Sequence, residues 1–63
     1  MTLKERRTAA GLTQAQLSEK SGMDVRAIRR LEKGEIKIEN IVLKNAVGLA
    51  RALGITAEQL LEG

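Results

Sequence analysis

Helix starts and helix stops alternate along this chain at short intervals, and that punctuation limits what it can fold into more than any other feature. Thr2-Leu3-Lys4-Glu5 is a capping box. In such a box the threonine hydroxyl accepts from the N–H three residues on, and the side chain there reaches back to the threonine N–H. Thr13-Gln14-Ala15-Gln16 and Thr56-Ala57-Glu58-Gln59 repeat the pattern, and Asp24 is a further residue of the capping type. Glycines stand behind the stretches opened at Thr2, Thr13 and Asp24, at 11, 22 and 34, and Gly54 follows a further apolar stretch; a left-handed residue at such a place ends a helix. The spacing predicts five helices: one from Thr2 toward Gly11, one from Thr13 to about Lys20, one from Asp24 to about Lys33, one from about Ile41 or Val42 to Leu53, and a short one behind Thr56. No stretch sustains strand alternation.

Sixty-three residues make one domain, 1–63. They contain no aromatic residue, cysteine, histidine or proline, so the core must be built from Leu, Ile, Val, Ala and two Met. Disulfides and thiolate or imidazole metal sites are excluded, which fits a reducing, cytoplasmic setting. No metal and no cofactor is expected. The apolar runs are a few residues long, too short to cross a membrane, and no basic-then-apolar leader opens the chain. Eight carboxylates are scattered among cations, and a chain this short hardly encloses a reaction pocket. An enzyme is not expected.

Two segments are less regular. "EIKIEN", residues 35–40, alternates isoleucine with charge. A loop that tucks Ile36 and Ile38 under the helices is favoured over a short extended piece. Gly48 falls inside the fourth helix, at a cost of ~1 kcal/mol relative to alanine. A close helix–helix approach there would explain it.

The charge of +3 is unevenly spread. Residues 1–33 carry eight cations and four anions, a balance of +4, and residues 34–63 a balance of −1. Four of those cations, Arg26, Arg29, Arg30 and Lys33, belong to the third helix. On a wheel of about 100° per residue they occupy the side opposite Asp24, Ala27, Ile28 and Leu31. The link Ser21-Gly22-Met23 between the second and third helices is so short that the two must cross steeply. Such a crossing requires Leu17 and Ile28 to face inward, with Met23 and Leu31 closing the pocket. It also requires small residues at Ser18 and Ala27, and positive φ at Gly22.

The stretch "TQAQLSEKSGMDVRAIRRLEKG", with "RRTAAGLT" before it and "LARALGITAEQLLEG" after it, resembles the helix-turn-helix of the lambdoid phage repressor and Cro family. The resemblance covers nearly the whole chain. It implies a compact, all-α five-helix bundle that binds double-stranded DNA and regulates transcription, most often as a repressor, with the helix at about 24–33 in the major groove. Ser21 stands where the family places an apolar residue, which implies a loosely packed turn. The segment from Gly34 to Ala50 is a few residues longer than in the phage repressors.

Arg26, near the start of the third helix, is placed to bridge O6 and N7 of guanine. Val25 would touch a thymine methyl, Asp24 would cap the helix or accept from cytosine, and Arg29 and Arg30 would divide between base and phosphate. Gln14, Lys33, Lys37, Asn40, Lys44 and Asn45 are candidates for the sugar–phosphate backbone. The resemblance also implies an ion pair between Arg7 and Glu32 beneath the motif. Ile36, Ile38, Ile41, Leu60 and Leu61 exceed what a small core needs, so a weak homodimer on an inverted-repeat operator is expected. The alternative is a protein-interaction module, such as an antitoxin that grips a partner protein. RNA is disfavoured because no aromatic is present for base stacking.

Overall fold

Each threonine that opens a helix does so with both halves of its box. In the computed structural model, which describes residues 1–62, the Glu5 N–H donates to the Thr2 hydroxyl at 3.1 Å and the Thr2 N–H to the Glu5 carboxylate at 2.7 Å. Thr13 with Gln16, and Thr56 with Gln59, repeat this at 2.9 to 3.1 Å. The Asp24 carboxylate accepts from the Arg26 N–H at 2.8 Å. The helices so opened are α1 (Leu3–Ala9), α2 (Gln14–Ser21), α3 (Val25–Lys33) and α5 (Ala57–Glu62); α4 (Leu43–Leu53) starts without such a cap. A single 3-10 turn, Ile38–Asn40, lies between α3 and α4.

The differences from expectation are local. α1 stops at Ala9, Ala10 keeps right-handed backbone, and Gly11 turns left-handed. α4 begins at Leu43, with Val42 as an apolar cap that makes no side-chain hydrogen bond. The 35–40 segment is neither extended nor irregular throughout, since three of its residues close the 3-10 turn; Ile36 and Ile38 do pack against the core. Asp24 is exposed rather than turned to the inner arc, because it precedes the helix and its side chain serves as the cap.

Leu17, Ile28 and Leu49, from α2, α3 and α4, are fully buried, and Leu3, Met23, Leu31 and Leu60 close around them. Burying each large aliphatic side chain contributes ~1.5–3 kcal/mol. The surplus of isoleucine and leucine is smaller than the sequence suggests. Leu60 is a core residue, and Ile36, Ile38 and Ile41 are partly covered by the core. Of the five residues expected to form a two-fold contact only Leu61 is well exposed, and Val42 and Leu43 stand out with it. Among the described residues no helix is long and apolar enough to span a membrane.

The turn between α2 and α3 is tightly held, contrary to the loose packing implied by Ser21. Gly22 takes φ +78° and its N–H donates to the Ser18 carbonyl at 3.0 Å. The Ser18 hydroxyl donates to the Met23 carbonyl, and the Met23 N–H donates to Ser21 Oγ at 3.2 Å. A polar residue at 21 therefore closes the turn itself. The same residue explains Gly48. A Cβ added there would lie 2.3 Å from the Ser21 carbonyl oxygen, so α4 reaches the end of α2 only without a side chain. Gly48→Ala should accordingly destabilise the protein by ~1–3 kcal/mol, although alanine is the better helix former. Urea melts test this: the expected result is a lower midpoint, and a higher one would mean that α4 does not rest on Ser21.

Candidate nucleic-acid interface

Burying Ile28 and Leu31 turns the cations of α3 outward. Arg26, Arg29, Arg30 and Lys33 are all exposed, Val25 is partly buried, and Ala27 lies at the boundary. The four cations line one open concavity of about 600 Å³, together with Asp24 and Glu35. Arg30 Nε stands 3.7 Å from Glu35 Oε1, with both side chains more than half exposed. A solvated pair of this kind contributes ~0–1 kcal/mol and yields readily to a stronger anion.

Beneath this face three helices converge on one carboxylate. Arg7 Nε donates to Glu32 Oε2 at 2.6 Å and Nη2 donates to Oε1 at 3.2 Å, a two-pronged contact that suits the planar guanidinium. The remaining Arg7 nitrogen, Nη1, donates to the Leu12 carbonyl at 2.9 Å, so the same side chain holds the link between α1 and α2. Gln14, the first residue of α2, donates from Nε2 to Glu32 Oε1 at 3.0 Å. Its Oε1 accepts from Arg29 Nε at 3.3 Å. The Arg7 and Glu32 side chains are 13% and 5% exposed, so the pair lies under the surface rather than on it.

Burial alone pushes the Glu32 carboxyl up. The hydrogen bonds from Arg7 and Gln14, with the positive charges of Arg7 and Lys4, outweigh it and hold the carboxyl below its ordinary value. The hydrogen bond to Glu32 in turn raises the Arg7 guanidinium further above neutral pH.

The other expected backbone contacts lie on later elements. Lys37 precedes the 3-10 turn and lines a second concavity with Lys4 and Lys33. Asn40 ends that turn, and Lys44 and Asn45 fall in the first turn of α4, Asn45 partly buried. Three features were not foreseen from sequence. Gln14 is bonded at both ends of its amide, Lys4 is near enough to act on Glu32, and Arg6 donates from Nη2 to the Gln59 carbonyl at 3.0 Å, tying α1 to α5. The three-residue spacing of Lys4 and Arg7 places both on one face of α1 and was the available signal for Lys4.

Comparison with known families matches the model described as Helix-turn-helix over residues 3–60. The chain belongs to the helix-turn-helix family. Members of this family are DNA-binding transcription regulators. Among solved structures, this helix-turn-helix protein is similar to the restriction-modification controller protein C.AhdI from Aeromonas hydrophila, at 40% identity and a TM-score of 0.80. The likeness covers 92% of this chain and 83% of that one. No match was found among curated proteins.

Because both partners of the Arg7–Glu32 pair are covered, Glu32→Ala should cost ~3–5 kcal/mol at neutral pH by leaving the arginine unanswered. The sign of the pH dependence follows from the lowered carboxyl. The stability it contributes is complete above the pKa of the unfolded chain and is lost as pH falls through the lower folded value. In urea melts the gap between the parent and Glu32→Gln should be widest near neutrality and close in acid. An equal midpoint for Glu32→Ala and the parent at pH 7 would show that the pair is solvated.

Proposed function

We propose that this helix-turn-helix protein binds double-stranded DNA sequence-specifically in the cytoplasm and represses transcription, with α3 lying in the major groove. One observation carries this most: α3 buries Ile28 and Leu31 and presents four cations on its opposite side. A helix so divided is held rigidly by its apolar side and offers the groove a positive, hydrogen-bonding one. Arg26 lies near the start of α3 and serves as the base reader, with Asp24, Val25, Arg29 and Arg30 as further candidates beside it. Gln14, Lys33, Lys37, Asn40, Lys44 and Asn45 serve the backbone. The likeness to a controller protein over 92% of the chain favours gene regulation over a protein-interaction module. The repressor role is drawn from the resemblance to the phage repressors.

One domain of this size covers few base pairs, so the protein acts as a weak homodimer on inverted half-sites about one helical turn apart. The exposed apolar residues suited to the two-fold contact are Val42, Leu43 and Leu61, at 62%, 75% and 54% exposure.

Arg26→Ala should lose ~1–3 kcal/mol on the preferred site and relax preference at one base pair per half-site. Lys33→Ala should weaken all duplexes alike and make the salt slope shallower by about one unit. Binding isotherms on preferred and scrambled duplexes at several salt concentrations separate the two. Equal losses for Arg26→Ala on both duplexes would make it a backbone contact, and no loss for either variant would favour the protein-interaction alternative. A separate test addresses assembly. Leu43→Glu adds an anion at the start of α4, where the helix tolerates it. It should leave the melt unchanged yet reduce self-association in sedimentation and affinity for paired half-sites. Unchanged association would remove Leu43 from the interface.

A further inference from the structure

The four cations of α3 are not held alike. Among the described residues the Arg26 side chain makes no hydrogen bond or ion pair, and its backbone N–H donates to the Asp24 cap. Arg29 is tethered: its Nε donates to Gln14 Oε1 at 3.3 Å, which draws the guanidinium back toward the start of α2. The amide of Gln14 has one orientation open to it. Its Nε2 donates to Glu32 Oε1 at 3.0 Å, and an ionised carboxylate can only accept. The amide NH2 must therefore face Glu32, which leaves the amide oxygen for Arg29. Because Arg7 holds the carboxylate in turn, a hydrogen-bonded line runs from the covered ion pair to an exposed guanidinium.

That line ends at an open concavity of about 310 Å³, lined by Lys4, Gln14, Arg29, Glu32 and Lys33. Lys4, Arg29 and Lys33 bring three positive charges to it, and the one anion, Glu32, is already neutralised by Arg7. Such a place suits a phosphodiester oxygen, whereas a base edge calls for donors and acceptors in a plane reached from the groove.

We infer that Gln14 is a positioning residue that commits Arg29 to the sugar–phosphate backbone, together with Lys4 and Lys33, and so removes Arg29 from the base readers. The inference rests on the proposed DNA binding. It makes Arg26 the principal reader of α3 and gives the covered ion pair a part in placing charge on the face above it.

The test uses the whole chain, a duplex selected from a random pool, and a scrambled duplex of equal length. Arg29→Ala should weaken both duplexes by the same factor and make the salt slope shallower by about one unit. Gln14→Met keeps the side-chain length without its hydrogen bonds. In that background Arg29→Ala should lose less affinity than it does alone, the coupling expected of residues acting together. In the free protein the Arg29 Nε proton should exchange with water more slowly than that of Arg26, and the two rates should converge in Gln14→Met. If Gln14→Met does not fold, the Arg29→Ala isotherms and the parent exchange rates decide alone. A loss confined to the selected duplex, or equal exchange at Arg26 and Arg29 in the parent, overturns this assignment while DNA binding stands. A parent that binds neither duplex overturns the functional proposal and this assignment together.

Discussion

The Glu32 carboxylate is the point on which the architecture turns. It belongs to α3, accepts from Arg7 of α1 through two nitrogens and from Gln14 of α2 through a third, and stands almost wholly covered. A carboxylate withdrawn from water is tolerable only when its oxygens are answered by donors of good geometry. Here that requirement fixes three helices relative to one another. Arg7 adds a fourth constraint by donating to the Leu12 carbonyl and holding the entry to α2. The face directly above is the cationic one, so the polar network that specifies helix placement also underlies the surface proposed to meet DNA.

The apolar side of the molecule shows why such a network is needed. With no aromatic side chain the innermost core reduces to Leu17, Ile28 and Leu49, one from each of three helices. Aliphatic side chains of this size fix orientation weakly unless the backbones come close. At Gly48 they do, α4 resting on the Ser21 carbonyl at a distance no side chain allows. Ser21 thus ends α2, satisfies the Met23 N–H and receives α4. α3 is held at its start by a turn that α4 rests on, and near its end by the α1–α3 ion pair.

What sequence disclosed and what it did not divide along the range of the interactions. The capping boxes at Thr2, Thr13 and Thr56 and the cap at Asp24 were readable because each is completed within three residues. The inward set Leu17, Met23, Ile28 and Leu31 was readable because helical period and a short link determine it together. The burial of Leu60 depends on where α5 docks, which no local pattern records. The exposure of Val42 and Leu43 arises from a helix start that carries apolar residues where a polar cap is usual. Ser21 misled in the opposite sense: a residue judged by polarity as a packing fault is a hydrogen-bonding element of the turn. In the candidate interface the four cations were readable from spacing, whereas the double engagement of Gln14 joins residues from 14 to 32 and exists only once α2 and α3 are packed.

The proposed function depends on α3 reading the edges of base pairs in duplex DNA. Selection of bound duplexes from a random pool addresses it directly, since a cationic surface without readout retains every sequence alike. Enrichment of one motif is expected, arranged as two inverted half-sites about one helical turn apart and containing a guanine placed for Arg26. A pool whose composition is unchanged after repeated rounds, despite salt-sensitive retention, would contradict it.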